Sequence, residues 1–246
     1  MFSIGFGHMI IVGHRGARYE APENTIEGFM HAQRNGCQHF ELDIQLSADH
    51  ELVVFHDSNL KRTTGQRGLL SKFPYSYLKS LDASLSMPNW PSQCAIPTLQ
   101  SVVNAVPHVS HWQFEVKTDK RVKLSILIHH LYNFIIDNGL IEHVTVTSSN
   151  RWFLKQMATL HPKISTGYVA ELLFIDPVKI ALNLKCKMLV VCVSIANKSN
   201  IKRANEAGIH VSCWTVNDLN KMRELKEIGV DSIITDVPSL AIQTFL

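Results

Sequence analysis

The segment HFELDIQL, residues 39–46, has the apolar pattern of a buried strand but carries two acids, Glu41 and Asp43, one residue apart. Side chains two residues apart on a strand point to the same face of the sheet. The pattern therefore predicts that Leu42 and Ile44 face a layer of helices while the two carboxylates converge on the opposite face. Two clustered carboxylates repel each other, so we expect a positive charge on this face that offsets theirs.

Short apolar runs alternate with helix-length amphipathic segments along nearly the whole chain, which is the pattern of parallel strands joined by crossover helices. The segment 121–138 has apolar residues at helical spacing, and Gly139 supplies a stop just beyond it. In PENTIEGF, Asn24 or its neighbour is predicted to cap a helix, with Glu27 completing a capping-box-like start. The eight apolar runs are MIIVG (9–13), HFELDI (39–44), HWQFEV (111–116), HVTVT (143–147), KISTGYV (163–169), MLVVCV (188–193), IHVSCW (209–214) and DSIIT (231–235).

Eight strand–helix pairs in 246 residues predict the α/β class and a closed (β/α)8 TIM barrel, with an open doubly wound sheet as the alternative. No G-x-G-x-x-G follows the first strand, which removes the main signature of dinucleotide binding. We expect one domain spanning residues 1–246, since barrels of this kind often reach about 250 residues. The segment from about 57 to 96, rich in Ser, Gly, Pro and Asn, is predicted to be a small insertion between strand 2 and strand 3.

Composition narrows the class of partner. Lys and Arg number 24 against 21 Asp and Glu, and the basic residues are scattered, so no nucleic-acid groove is indicated. Five cysteines without a C-x-x-C pair favour neither a disulfide framework nor a zinc knuckle, and a reducing cytoplasm is the expected location. We expect no signal peptide and no stable membrane insertion. No motif distinguishes a monomer from a homodimer.

Polar residues fall repeatedly where strands of the predicted barrel end, which is where barrel enzymes carry their functional groups. The first strand is followed by His14 and Arg15, and a further short apolar run after the second strand is followed by His56. The third strand ends with Glu115 and Lys117. The seventh ends with Trp214, an aromatic residue that is about as often core packing as pocket lining.

A hard divalent cation would remove the repulsion between Glu41 and Asp43, and Glu115 would supply a third oxygen ligand. Mg²⁺ or Ca²⁺ is predicted rather than zinc, because no His or Cys lies at a suitable strand spacing beside these acids. In the structural alternative, the acids form salt bridges with Lys or Arg inside the barrel, or the strand is an exposed edge. The polar residues at the other strand ends favour the metal site.

Two histidines and two cations complete the predicted site. His14 and His56 each follow an apolar strand directly, and they form the acid–base pair that hydrolysis or phosphoryl transfer needs near neutral pH. Arg15 and Lys117 are donors suited to a phosphate oxygen. They are equally suited to interior salt bridges with the same acids, and both interpretations can hold together.

These residues, in this order, resemble the glycerophosphodiester phosphodiesterase family. The resemblance implies a TIM barrel with a small insertion and a divalent-metal enzyme that cleaves glycerophosphodiesters to sn-glycerol 3-phosphate and an alcohol. It implies metal binding by Glu41, Asp43 and Glu115, acid–base catalysis by His14 and His56, phosphate binding by Arg15 and Lys117, and a pocket wall at Trp214. The matching stretches are GHRGARYEAPENTIEGF from Gly13, FELDIQLSADHELVVFHDSNLKRTTG from Phe40, IPTL from Ile96, FEVK from Phe114, VSCWTVN from Val211 and VDSIITDVP from Val230.

Two other functions remain as alternatives. A phospholipase-like barrel acting on lysophospholipids would need an exposed apolar rim, for which Leu85, Met87 and Trp90 of the insertion are the candidates. A catalytically silent barrel used as a binding module would typically lack a metal ligand or a histidine, whereas this chain has the full set.

Overall fold

The computed structural model describes residues 9–118, 124–172 and 174–245. Within them, eight parallel strands close into a barrel, because β1 pairs with β2 on one side and with β9 on the other. The predicted TIM barrel is confirmed, and closure excludes an open doubly wound sheet. The strands are β1 (Ile10–His14), β2 (His39–Leu46), β3 (Leu52–Val54, outside the barrel), β4 (His111–Val116), β5 (Val144–Ser148), β6 (Ser165–Ala170), β7 (Met188–Cys192), β8 (His210–Trp214) and β9 (Ser232–Thr235).

Helices follow the strands as the hydrophobic periodicity predicts. The side-chain hydroxyl of Thr25 caps the first of them by accepting a hydrogen bond from the Gly28 backbone N–H, so the neighbour of Asn24 is the cap. The helix predicted over 121–138 is observed from Leu124, and residues 121–123 lie outside the described residues. The helices are α1 (Ile26–Arg34), α2 (Lys61–Thr64), α3 (Tyr75–Leu78), α4 (Leu99–Ala105), α5 (Leu124–Asp137), α6 (Arg151–Leu160), α7 (Pro177–Asn183), α8 (Lys198–Glu206), α9 (Leu219–Glu227) and α10 (Pro238–Phe245).

The alternation along β2 separates two environments, as its sequence predicts. Leu42 and Ile44 are fully buried in the large hydrophobic cluster that joins the strands to the surrounding helices. Glu41 and Asp43 are also buried, but they belong to the opposite face of the strand, inside the barrel. The apolar part of the interior is a much smaller cluster made of Val12, Val169, Met188, Val190 and Ile234.

The chain turns back after β2. The strand β3 pairs antiparallel with β2, so the chain returns from the carboxyl end of β2 to the level of Asp43, where the Phe55 N–H donates to the Asp43 carbonyl. From there to α4 the chain forms α2, α3 and a 3-10 turn at Leu70–Lys72 around a separate small hydrophobic cluster. The hairpin therefore places the following residue, His56, beside the barrel mouth.

Candidate active site

Strand register brings the predicted acids together. Pairing of β1 with β2 sets His14 opposite Glu41, and pairing of β2 with β4 sets Asp43 opposite Glu115. One carboxylate oxygen from each of Glu41, Asp43 and Glu115 lies within 4.8 Å of the other two. We call these three residues the acidic triad.

The three carboxylates of the acidic triad repel one another in a largely buried environment. Burial, followed by the neighbouring carboxylates of Asp43 and Glu115, raises the pKa of Glu41 well above its usual range. Glu41 Oε2 accepts a hydrogen bond of 3.1 Å from the Arg15 backbone N–H, whereas the buried Oε1 has no hydrogen-bond partner among the described residues. A divalent cation would satisfy this oxygen and offset the repulsion. The residues present therefore fit a hard cation with oxygen ligands.

Arg15 and Lys117 form ion pairs with the acidic triad. Arg15 Nε lies 3.1 Å from Asp43 Oδ2, and Lys117 Nζ lies 3.2 Å from Asp43 Oδ1 and also pairs with Glu115. Burial alone would raise the pKa of the Asp43 carboxyl, but Arg15 and Lys117 outweigh it and hold that pKa below its usual range. The interior salt bridges predicted as one alternative for these two cations are thus present.

His14 is held by a carboxylate from the far end of the chain. Its Nδ1 lies 2.6 Å from Asp236 Oδ1, and its Nε2 lies 3.9 Å from Glu41 Oε2. Asp236 is itself fixed by Asn217, whose Nδ2 donates to Asp236 Oδ2 at 2.8 Å and whose Oδ1 accepts from the Asp236 backbone N–H at 2.9 Å. His14 is only 5% exposed. Because Asp236 holds Nδ1, Nε2 is the ring nitrogen left on the side of Glu41.

His56 is held in a similar way on the more open side. Its Nδ1 lies 2.6 Å from Asp57 Oδ1, and its Nε2 has no hydrogen-bond partner within the described part of the chain. The backbone beneath it is fixed by Gln45, whose side-chain amide donates to the carbonyls of Phe55, His56 and Asp57 at 2.8, 3.1 and 2.9 Å. The His56 side chain is 32% exposed, so its free nitrogen is accessible to a ligand.

A network of ion pairs connects Asp57, which holds His56, with Arg15, which follows His14. Arg62 of α2 contacts Asp57 Oδ2 through Nε at 2.7 Å and both carboxylate oxygens of Glu23 through Nη1 and Nη2 at 2.6 and 2.8 Å. Glu23 also accepts a 2.8 Å bond from Arg15 Nη1. Asn24 donates to Asp43 Oδ2 at 2.8 Å. These contacts lock the segment after β3 onto the first loop of the barrel.

The residues that hold the two histidines in place are not among the site residues predicted from the sequence. Gln45 continues the inward-facing series of Glu41 and Asp43, and Asp236 directly follows a strand, so the signals used for the other site residues apply to both. Glu23, a partner of Arg62, carries no such signal, because its proximity depends on how the loops fold over the barrel.

Trp214 ends β8 at the same mouth of the barrel. It is half-buried and packs against the small interior cluster, so it does contribute to core packing. Its buried indole Nε1 has no hydrogen-bond partner in the described ranges. The pocket-lining role of Trp214 therefore stays a prediction.

Clustered carboxylates, two carboxylate-anchored histidines and two cations at the carboxyl ends of TIM-barrel strands define a hydrolase of the phosphoryl-group class. Residues 14–240 match the model of the glycerophosphoryl diester phosphodiesterase family. The chain belongs to this family, and it is a phosphoric diester hydrolase of the glycerophosphodiester phosphodiesterase type. The alternative of a catalytically silent binding module is therefore wrong.

Several known proteins are similar in sequence to this chain over nearly its whole length. A glycerophosphodiester phosphodiesterase of Caldanaerobacter subterraneus subsp. tengcongensis is 28% identical over 244 residues, covering 95% of this chain and 96% of the relative. A solved phosphodiesterase from Oleispira antarctica, in complex with the product sn-glycerol-3-phosphate, is 26% identical with a TM-score of 0.86 and covers 95% of each chain. A human lysophospholipase D is 26% identical, covering 93% of this chain and 83% of the relative.

Proposed function

We propose that this enzyme hydrolyses glycerophosphodiesters to sn-glycerol 3-phosphate and an alcohol, using one divalent cation, Mg²⁺ or Ca²⁺, at the acidic triad. The observation that carries the proposal is the convergence of the three carboxylates, together with the buried Oε1 of Glu41, which has no hydrogen-bond partner among the described residues. When bound, the cation supplies positive charge that offsets the charge developing on the phosphoryl oxygens. The product complex of the Oleispira relative supports the same substrate class.

Arg15 and Lys117 are proposed to bind the phosphoryl group. Both side chains contact Asp43, so a phosphate lying beside the acidic triad would be within their reach. For Lys117, burial opposes the charged form, but Asp43 and Glu115 outweigh it and raise the ammonium pKa. A cation that stays charged throughout the neutral range stabilises the transition state by a fixed electrostatic interaction.

His14 and His56 are proposed to move the protons. One Nε2 accepts a proton from the nucleophile, and the other donates a proton to the departing alkoxide. Asp236 and Asp57 hold the Nδ1 atoms, which keeps each Nε2 directed at the reacting group. The nucleophile is either water or the glycerol 2-hydroxyl, and the second route forms a cyclic phosphate that water then opens. Phosphorus NMR of the reaction distinguishes the two routes by the presence or absence of the cyclic species.

The function is tested by measuring glycerol 3-phosphate release from glycerophosphoethanolamine. Release is expected with Mg²⁺ or Ca²⁺, loss of release on chelation, and recovery when the cation is restored. The proposal is contradicted if the protein releases no glycerol 3-phosphate with any divalent cation. Undiminished release after exhaustive chelation would remove the metal from the proposal while leaving the substrate class in place.

A second substrate class, lysophospholipids, is favoured by one observation. Phe174 is 99% exposed and Leu172 is 59% exposed in the segment that follows β6, at the end of the barrel where the acidic triad lies. Of the sequence-based rim candidates, Leu85 is exposed, whereas Trp90 is half-buried with its ring edge-on to His31 of α1. An exposed apolar segment at the mouth suits an acyl chain.

The two substrate classes are separated by comparing lysophosphatidylcholine micelles with glycerophosphocholine. Higher activity on the micelles, reduced by Phe174→Ser and unaffected by Leu240→Ser on α10, would support the lysophospholipid class. Higher activity on glycerophosphocholine would support the main proposal.

We also propose a single domain, a pocket-lining role for Trp214 and a cytoplasmic location. All five cysteines are free thiols, which supports a reducing compartment. None of the described helices is both long enough and apolar enough to cross a membrane.

A further inference from the structure

An open cavity of about 510 Å³ is lined in part by Asp57, the residue that follows His56. Its wall includes Asp57, whose carboxylate holds His56 Nδ1 at 2.6 Å, so the cavity and the histidine share a side chain. Its volume falls within the range of about 300–1,000 Å³ that is usual for small-molecule sites. We call it the head-group pocket, and its lining residues are Asp57, Asn59, Lys61, Arg62 and Arg67.

The head-group pocket is positively charged. Residues 52–81 contain five Lys or Arg but a single acid, Asp57. The charge of Arg62 is already matched by Glu23 and Asp57. The side chains of Lys61 and Arg67 are exposed, and neither has a hydrogen bond or ion pair within the described residues. These two cations set the net charge of the pocket.

The position of the pocket identifies which half of a substrate it can meet. His14 lies at the closed side of the active site, where it is 5% exposed, and His56 lies at the open side with its side chain 32% exposed. Glycerophosphodiesters share the glycerol 3-phosphate half and differ in the alcohol. The variable alcohol is best accommodated on the open side, where Asp57 connects His56 with the head-group pocket.

We propose that the head-group pocket binds the alcohol half of the substrate and favours alcohols that carry an anionic group, a carboxylate or a phosphate. This inference rests on the proposed function and specifies its substrate class. Lys61 and Arg67 supply the attraction, while Arg62 shapes the pocket and joins it to the His56–Asp57 pair. Cationic alcohols such as choline are disfavoured by the same charges.

The test uses two substrates that differ by one carboxylate, glycerophosphoserine and glycerophosphoethanolamine. For the wild-type enzyme at low salt, kcat/KM is expected to be about 3–10-fold higher for glycerophosphoserine, the gain of two exposed ion pairs. Raising the ionic strength should reduce this ratio towards one, because salt screens exposed charges.

The double variant Lys61→Gln/Arg67→Gln should lower the ratio to about one. Lys72 and Lys79 are exposed basic residues of the same segment that do not line the pocket, so Lys72→Gln/Lys79→Gln is a control with an equal change in charge. It should keep the wild-type ratio. A wild-type ratio near one, an unchanged ratio in the first variant, or an equal loss in the control overturns the inference. If the wild-type enzyme cleaves neither diester, the proposed function itself fails.

Discussion

The carboxylate of Asp236 lies 2.6 Å from Nδ1 of His14, although the two residues are 222 positions apart in the chain. His14 ends β1 and Asp236 follows β9, and these two strands are neighbours only because the barrel closes. Closure of the fold therefore brings the proposed acid–base residue His14 together with the carboxylate that holds it. The Asn217 contacts to Asp236 extend this arrangement to the loop after β8.

The substitution Asp236→Asn is expected to lower kcat by about 10²–10⁴-fold, the usual contribution of a positioned acid or base. An amide cannot stabilise the His14 imidazolium and can present an N–H to Nδ1, which favours the wrong tautomer. Cation affinity, measured by calorimetry, should be nearly unchanged. The control is Asp137→Asn at the exposed end of α5, which should retain the wild-type rate. A wild-type kcat in Asp236→Asn would show that the His14–Asp236 contact has no part in catalysis.

The substitution Gln45→Ala is expected to reduce kcat by loosening His56. It removes the Nε2 amide, whose two hydrogens are shared among three backbone carbonyls of the segment that carries this ring, at a cost of about 2 kcal/mol in stability. Steady-state kinetics and chemical denaturation measure the two effects, and Gln66→Ala in the exposed turn after α2 serves as the control. An unchanged kcat together with lowered stability would assign Gln45 a purely structural role.

Saturating Mg²⁺ or Ca²⁺ is expected to raise the melting temperature. A ligand at 100 times its dissociation constant stabilises the folded state by about 2.7 kcal/mol, which corresponds to roughly 5–10 °C for a domain of this size. Glu41→Gln should abolish the shift, because it removes a carboxylate of the acidic triad. Calorimetric melting curves check this, with Glu206→Gln on the exposed face of α8 as the matched control. An equal shift in Glu41→Gln would place the cation elsewhere.

Acid sensitivity is expected from histidines at the opposite end of the barrel. His111 begins β4 and His210 begins β8, and both line a cavity of about 10 Å³. Burial, together with His39 and His210, lowers the pKa of His111 to about 3, and burial lowers the pKa of His210 to about 4. Because the unfolded chain takes up protons near pH 6.5 and the folded one does not, stability should be full above that pH and fall towards pH 4.

Denaturant unfolding as a function of pH checks this expectation. His111→Gln should flatten the loss of free energy between pH 6.5 and 4, since each pKa unit is equivalent to about 1.4 kcal/mol. His130→Gln on the exposed face of α5 should leave the wild-type slope. Identical slopes in the wild-type protein and His111→Gln would contradict the assignment.

The fold and the centre of the site follow from local patterns in the sequence. The strand periodicity of HFELDIQL already separates Leu42 from Glu41, because side-chain direction is a property of the strand itself. The contacts of His14 with Asp236 and of Arg62 with Glu23 are not local. The first forms through barrel closure and the second through loop packing. The packing of Trp90 against α1 likewise has no local signal in the sequence, so its partial burial could not be predicted.

The most direct test of the account is the rate of glycerol 3-phosphate release, with Mg²⁺ or Ca²⁺ present, by the wild-type enzyme and by Glu41→Ala and His14→Ala. We predict release by the wild-type enzyme and a loss on the order of 10²-fold or more in each variant. The wild-type rate in both variants would contradict the assignment of catalysis to the acidic triad and its histidines.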